Sequence, residues 1–157
     1  MEFEKFLLWI LFSSGVGLFL YNLSRPHAKE WLLIFLLTGY CASILGTLVV
    51  EEKMLSYPSN IFHHFDSSVT YEYVLFPLIS VYYYRSTYRL GLGGILLRGA
   101  VYSGGITIIE YFLERYTDLI HYYTWTWGYT FISTFFLLLF VRGIVQLFRD
   151  INWHASS

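Results

Sequence analysis

Five stretches of apolar residues separated by short polar joints dominate the chain, at about 6–23, 31–50, 67–84, 95–116 and 127–147. A bilayer core about 30 Å thick needs roughly 20 helical residues to cross it, and each stretch comes near that length. The pattern predicts an all-α integral membrane bundle of five transmembrane helices, a single domain over 1–157.

The joints carry the stop and start signals. Pro26 precedes the second stretch, and Glu51-Glu52-Lys53 stops it. Asp66-Ser67-Ser68 offers N-capping side chains to the third, which Arg85 ends, while Pro77 in its interior frees a carbonyl and predicts a kink. Arg149-Asp150 closes the fifth. Small residues mark faces for close helix contact: Ser13, Ser14, Gly15 and Gly17, then Gly39-x-x-x-Ser43, then Ala100-x-x-x-Gly104. Ser103-Gly104-Gly105 invites tight packing or a local break, and Gly91-x-Gly93-Gly94 reads as a flexible linker. The longest joint, 51–66, holds Tyr57, Ile61, Phe62 and Phe65 and is expected to lie on the membrane surface.

Composition agrees with lipid as the solvent. Hydrophobic residues make up 56% and charged ones 13%, against about 25% charged in soluble domains. An aromatic content of 22% would suit a dense soluble core, but the long uncharged runs exclude one. Cys41 is the only cysteine, so no intramolecular disulfide forms. Glu2 and Glu4 stand where a cleavable signal carries basic residues, so the first stretch is expected to be retained, and no cysteine near either end invites lipidation.

Charge also sets an orientation. With five crossings, Lys5, Lys53 and Arg115 fall on one side, and Arg25, Lys29, Arg85, Arg89, Arg98, Arg142 and Arg149 on the other. The positive-inside rule then puts the N-terminus outside and the C-terminus in the cytoplasm. Only Glu30 and Asp150 among the acids fall on the inner side. Trp31, Tyr82-Tyr83-Tyr84 and Trp153 form an inner aromatic belt, and Trp125 and Trp127 an outer one.

Carboxylates at membrane depth are costly and point to function. Glu110 lies 12 residues beyond Arg98, about 18 Å along a helix, and Glu72 lies 13 residues before Arg85, about 20 Å. The two share a level, and facing each other they would hold a shared proton or a cation. Alternatively a hydroxyl such as that of Tyr73, Tyr102 or Thr107 satisfies Glu110. Glu110, Glu114, Asp118 and His121 recur along one stripe if the helix is continuous, and His63, His64 and Asp66 share their side, so weak ligands for a divalent metal are present. The plainer reading makes Glu114, Asp118 and His121 interfacial residues touching water. Arg98 and Arg142 read as snorkelling cations, or else as a pocket for an anionic lipid headgroup. The tyrosines read as belt and packing residues.

No P-loop, dinucleotide glycine fingerprint, Gly-x-Ser-x-Gly elbow or cysteine cluster occurs, which argues against a nucleotide-driven or redox enzyme. Glu30-Trp31-Leu32-Leu33, Tyr57-Pro58, the run from Tyr73 through Pro77 to Ser80, Ile109-Glu110, Leu113-Glu114-Arg115-Tyr116-Thr117, Trp125-Thr126-Trp127 and Val141-Arg142-Gly143 give the chain a likeness over about 29–148. On these it resembles a family of small multipass membrane proteins of unknown function from endospore-forming Firmicutes. The resemblance implies a bacterial plasma membrane and transfers no catalytic residues or cofactor.

The leading expectation is a multi-pass protein of the cell membrane, not an enzyme, that packs against another membrane protein or its own copies, or organises lipid; nucleic acid is not an expected partner. The alternative is a small proton- or cation-coupled carrier or channel subunit using Glu72 and Glu110, with Glu114 beside them. A third is a metal-dependent enzyme acting on lipid.

Overall fold

A stretch that is apolar on every side has no polar face to turn to water, so its helix gains by meeting lipid or other helices all round. The computed structural model describes residues 2–24, 26–58 and 70–155, with side chains from Lys5 to Arg149. It is all-helical apart from one tiny ribbon. The elements are α1 (Glu2–Leu23), α2 (Ala28–Glu51), β1 (Leu55–Ser56), a π-helical turn (Tyr71–Leu75) running into α3 (Phe76–Thr87), α4 (Leu92–Tyr116), β2 (His121–Tyr122) and α5 (Trp127–Ala155). His63, His64, Asp66-Ser67-Ser68, the apolar residues of the 59–69 joint and Arg25 lie outside the described residues, as do the side chains of Glu2, Glu4, Asp150 and Trp153.

Contacts fix how the helices run. Leu8 of α1 clusters with Leu119 and Ile120 beyond α4, while Asn22 at the other end of α1 meets Tyr82 and Arg85 of α3. Arg142 of α5 reaches Thr87. The helices therefore alternate between two ends, one holding the ribbon and the other rich in arginine.

Four helices are long and apolar enough to cross a membrane: Lys5–Leu23, Ala28–Glu51, Leu92–Tyr116 and Trp127–Arg149. Their outward faces carry large exposed apolar side chains, such as Leu36, Leu97, Phe136 and Leu147, as expected of surfaces that suit a bilayer. The third helical run differs. It is the least apolar and the most enclosed, touching each of the other four helices and burying Phe76, Pro77, Leu78, Ser80, Val81, Tyr83, Tyr84 and Thr87. Its polar groups find partners on its neighbours. Thr38 donates to Ser80 at 3.0 Å, Tyr83 donates to the Ile95 carbonyl at 3.1 Å, and Ser43 and Tyr73 share a 2.5 Å hydrogen bond. Protein rather than lipid surrounds this helix, so its hydropathy need not match theirs.

Several sequence expectations are corrected. α2 and α4 begin at Ala28 and Leu92, earlier than the apolar pattern, because polar residues at a helix end continue the backbone hydrogen bonds outside the apolar stretch. Gly93 and Gly94 are thus the first turn of α4 rather than a linker, with the Gly91 carbonyl accepting from the Ile95 amide at 3.0 Å. No break occurs at Ser103-Gly104-Gly105. The buried stripe of α4 is Gly99, Ser103, Ile106 and Glu110, one residue away from Ala100-x-x-x-Gly104. Of the two glycines in α1, Gly15 packs tightly against Val74 and Gly17 has nothing within 4 Å of where a Cβ would stand.

Pro77 acts by a local route. Proline lacks the amide that would bond the carbonyl four residues back, and its ring crowds that carbonyl. The π turn just before it widens the backbone, with the Phe76 amide bonding to the Tyr71 carbonyl. Such single turns are often associated with functional positions.

Candidate functional site

Three helices and the ribbon bring the site together. On α2, Gly39, Ser43 and Gly46 follow one face. Gly39 packs near Pro77, while Gly46 meets Glu72 so closely that a Cβ there would collide with the carboxyl group. Glu72 sits in the π turn and is 3% exposed, and Glu110 on the buried stripe of α4 is 4% exposed. α5 adds Thr130 and Thr134, whose hydroxyls and carbonyls interlock, Thr134 donating to the Thr130 carbonyl at 2.7 Å.

Glu72 and Glu110 line one cavity of about 110 Å³, together with Gly46, Tyr57, Tyr71 and Thr130. On the scale where about 10–15 Å³ holds one water, it has room for several. No lysine, arginine or histidine lines it among the described residues. The hydroxyls of Thr130 and Tyr122 hydrogen-bond the Glu110 carboxylate. Thr130 Oγ1 accepts from the Trp125 indole at 2.8 Å and shares a 3.2 Å hydrogen bond with the Tyr122 hydroxyl, so the three side chains form one network beside Glu110. The second oxygen of Glu110, Oε2, is buried with no hydrogen-bond partner among the described residues, as is the Tyr71 hydroxyl.

The ribbon caps this end. Leu55 and Ser56 pair antiparallel with Tyr122 and His121. The Met54 carbonyl accepts from the amides of Tyr123, Thr124 and Trp125 at 3.0, 3.1 and 3.0 Å. These bonds fix Tyr57 and Tyr122 beside the carboxylates. Burial, reinforced by the charges of Glu110 and Glu72, pushes the Tyr57 phenol well above its ordinary value. Tyr122 is raised by burial and then by Glu110.

The other residues singled out in the sequence disperse. α4 ends at Tyr116, where Thr117 turns extended and its hydroxyl binds the Leu113 carbonyl, so the stripe does not continue. Glu114 is half-buried and outside the cavity lining, Asp118 is exposed in a bend, and His121 is exposed in β2. No group of three or more metal-ligating side chains gathers among the described residues. Tyr73 is engaged with Ser43, Thr107 with the Ser103 carbonyl and Tyr102 with the Tyr83 ring, so none of these hydroxyls is the partner of Glu110. Arg142 has protein partners, donating to Thr87 Oγ1 at 3.0 Å and to the Thr87 carbonyl at 2.9 Å, which caps α3. Arg98 is exposed on α4.

Gly46, Thr130, Tyr122 and Trp125 were not apparent as site residues. Gly46 alone left a trace, since it continues the Gly39 and Ser43 face at the next helical turn. No protein-family model, no curated protein and no solved structure matches this chain.

Proposed function

We propose that this chain is a small proton- or cation-coupled membrane carrier or channel subunit, with Glu110 and Glu72 as the groups that take the positive charge. The observation that carries the reading is the shared cavity, into which Glu110 presents a buried, unsatisfied oxygen beside a second carboxylate. An ionised carboxylate in a low-dielectric site is costly unless neutralised, and a proton or small cation on Glu110 offsets that cost. Thr130 and Tyr122 orient the group, and the cavity has room for the waters that a proton relay needs.

The reading also takes the third helical run as a fifth crossing, with the N-terminus outside and the C-terminus in the cytoplasm, because the lysines and arginines favour that orientation. The site then lies toward the outer face. Flux of protons or alkali cations into liposomes holding the purified protein tests the assignment. Glu110→Gln is expected to abolish an ion flux that the wild type supports, and a flux untouched by this change would remove Glu110 from the mechanism.

A further inference from the structure

The opposite end of the bundle carries a second cavity, of about 450 Å³, lined by His27, Trp31, Tyr88, Arg85, Arg89 and Glu30 among others. That volume falls within the range of about 300–1,000 Å³ of ligand pockets and is too large for a lone ion. Arg85 stands in the last turn of α3 and Arg89 in the turn just beyond its end.

Arg85 is held in place by the protein. It donates to Asn22 Oδ1 at 3.1 Å and lies 4.7 Å from the Trp31 ring centroid, which leaves other donors of its planar guanidinium open. Arg89 is exposed and makes no hydrogen bond or ion pair among the described residues. Among the described residues the one acid in the lining is already engaged, since Glu30 accepts from the Tyr84 hydroxyl at 3.4 Å and stands within electrostatic reach of Arg149. Two guanidiniums therefore face the cavity against one acid that another arginine offsets.

Leu90 in the lining is 39% exposed, and at the same end of the bundle Leu23, the last residue of α1, and Leu92, the first of α4, are 37% and 73% exposed. Charged donors beside exposed leucines at the end of a bundle match a phosphate attached to acyl chains. Guanidinium forks fit phosphate oxygens in paired hydrogen bonds, and basic pockets between membrane helices hold anionic headgroups. We infer that this cavity binds the phosphate headgroup of an anionic phospholipid through Arg85 and Arg89. The site is separate from the carboxylate cavity and does not rest on its proposed role. Arg98 and Arg142, which the sequence nominated for this task, lie outside the cavity lining.

Native mass spectrometry of the detergent-purified protein titrated with phosphatidylglycerol, phosphatidylcholine or inorganic phosphate tests the inference. Phosphatidylglycerol is expected to bind more tightly than phosphatidylcholine, and Arg89→Gln to weaken it about tenfold, the scale of a charge-assisted contact. Arg98→Gln is expected to leave binding unchanged. Arg89 is exposed and has no hydrogen-bond or ion-pair partner among the described residues, so its variant stays informative even where Arg85→Gln fails to fold. Equal binding of phosphatidylglycerol by wild type and Arg89→Gln would overturn the site. Arg89-dependent binding of inorganic phosphate without any preference for phosphatidylglycerol would overturn the lipid assignment.

Discussion

Gly46 shows how much a missing side chain can decide. The Glu72 carboxyl occupies the space that any Cβ at 46 would fill, so an added methyl must push a buried carboxyl group off its seat on α2. Gly46→Ala is therefore expected to destabilise the protein by about 1–3 kcal/mol, the usual range for overpacking, seen as a lower melting temperature in detergent. Gly17→Ala, where nothing lies within 4 Å, is expected to be close to neutral. Equal melting temperatures for the two variants would show that Glu72 is not seated on α2.

Tyr57 and Tyr122 make a different prediction at the same scale. Both phenols are raised by burial and by nearby carboxylates, so the folded state keeps their protons after the unfolded chain has lost them. The stability they contribute is whole below the ordinary phenol value of about 10 and declines as pH rises beyond it. An alkaline titration followed by phenolate absorbance is expected to show the exposed tyrosines ionising first. Tyr57 and Tyr122 are among those that follow only as the fold opens, and replacing both with Phe should reduce that late amplitude without abolishing it, since Tyr83 and Tyr84 are buried as well.

Among the elements, the π turn and Pro77 form a unit that the sequence half revealed. Proline in an apolar run signalled a departure from regular helix, and the structure places it just after a widened turn that carries Glu72. Removing or adding one residue of a helical turn rotates what precedes it by about 100°. Pro77→Ala restores an amide, allows the turn to revert to α-helix and is expected to swing Glu72 away from Gly46. The reading is a loss of whatever ion flux the wild type shows with little change in helix content by circular dichroism. Unchanged flux would detach the turn from the site.

The same scale shows where the sequence stops being informative. Run length and apolarity marked α1, α2, α4 and α5 because a span is a property of consecutive residues. Helix depth likewise brought Glu72 and Glu110 to one level, since rise per residue is fixed, and both do line one cavity. Facing was beyond it. Whether Ala100 or Gly99 lies on the buried stripe of α4 turns on rotation about the axis, which uniform apolarity does not encode. The ribbon was hidden as well, because two-residue strands leave no periodic trace and Leu55 meets Tyr122 across a long stretch of chain. Of the partners of Glu110, Tyr122 comes through that ribbon and Thr130 from the first turn of α5, positions that helix spacing on α4 could not point to.

For the molecule as a whole, the outer helices are apolar to their surroundings while the central one holds Glu72, Ser80, Thr87 and the tyrosine run. That arrangement has a bearing on how the polypeptide is made. A segment with a carboxylate and many hydroxyls gains little from lipid alone. Its settled position depends on neighbours synthesised both before and after it. Chains truncated just after residue 90 are expected to integrate that segment poorly in a microsomal translation assay, and chains extended through α4 and α5 to integrate it fully. On the proposed five-crossing topology, membrane insertion of this protein is a cooperative assembly, in which late-emerging helices retain an earlier one that the bilayer by itself would release.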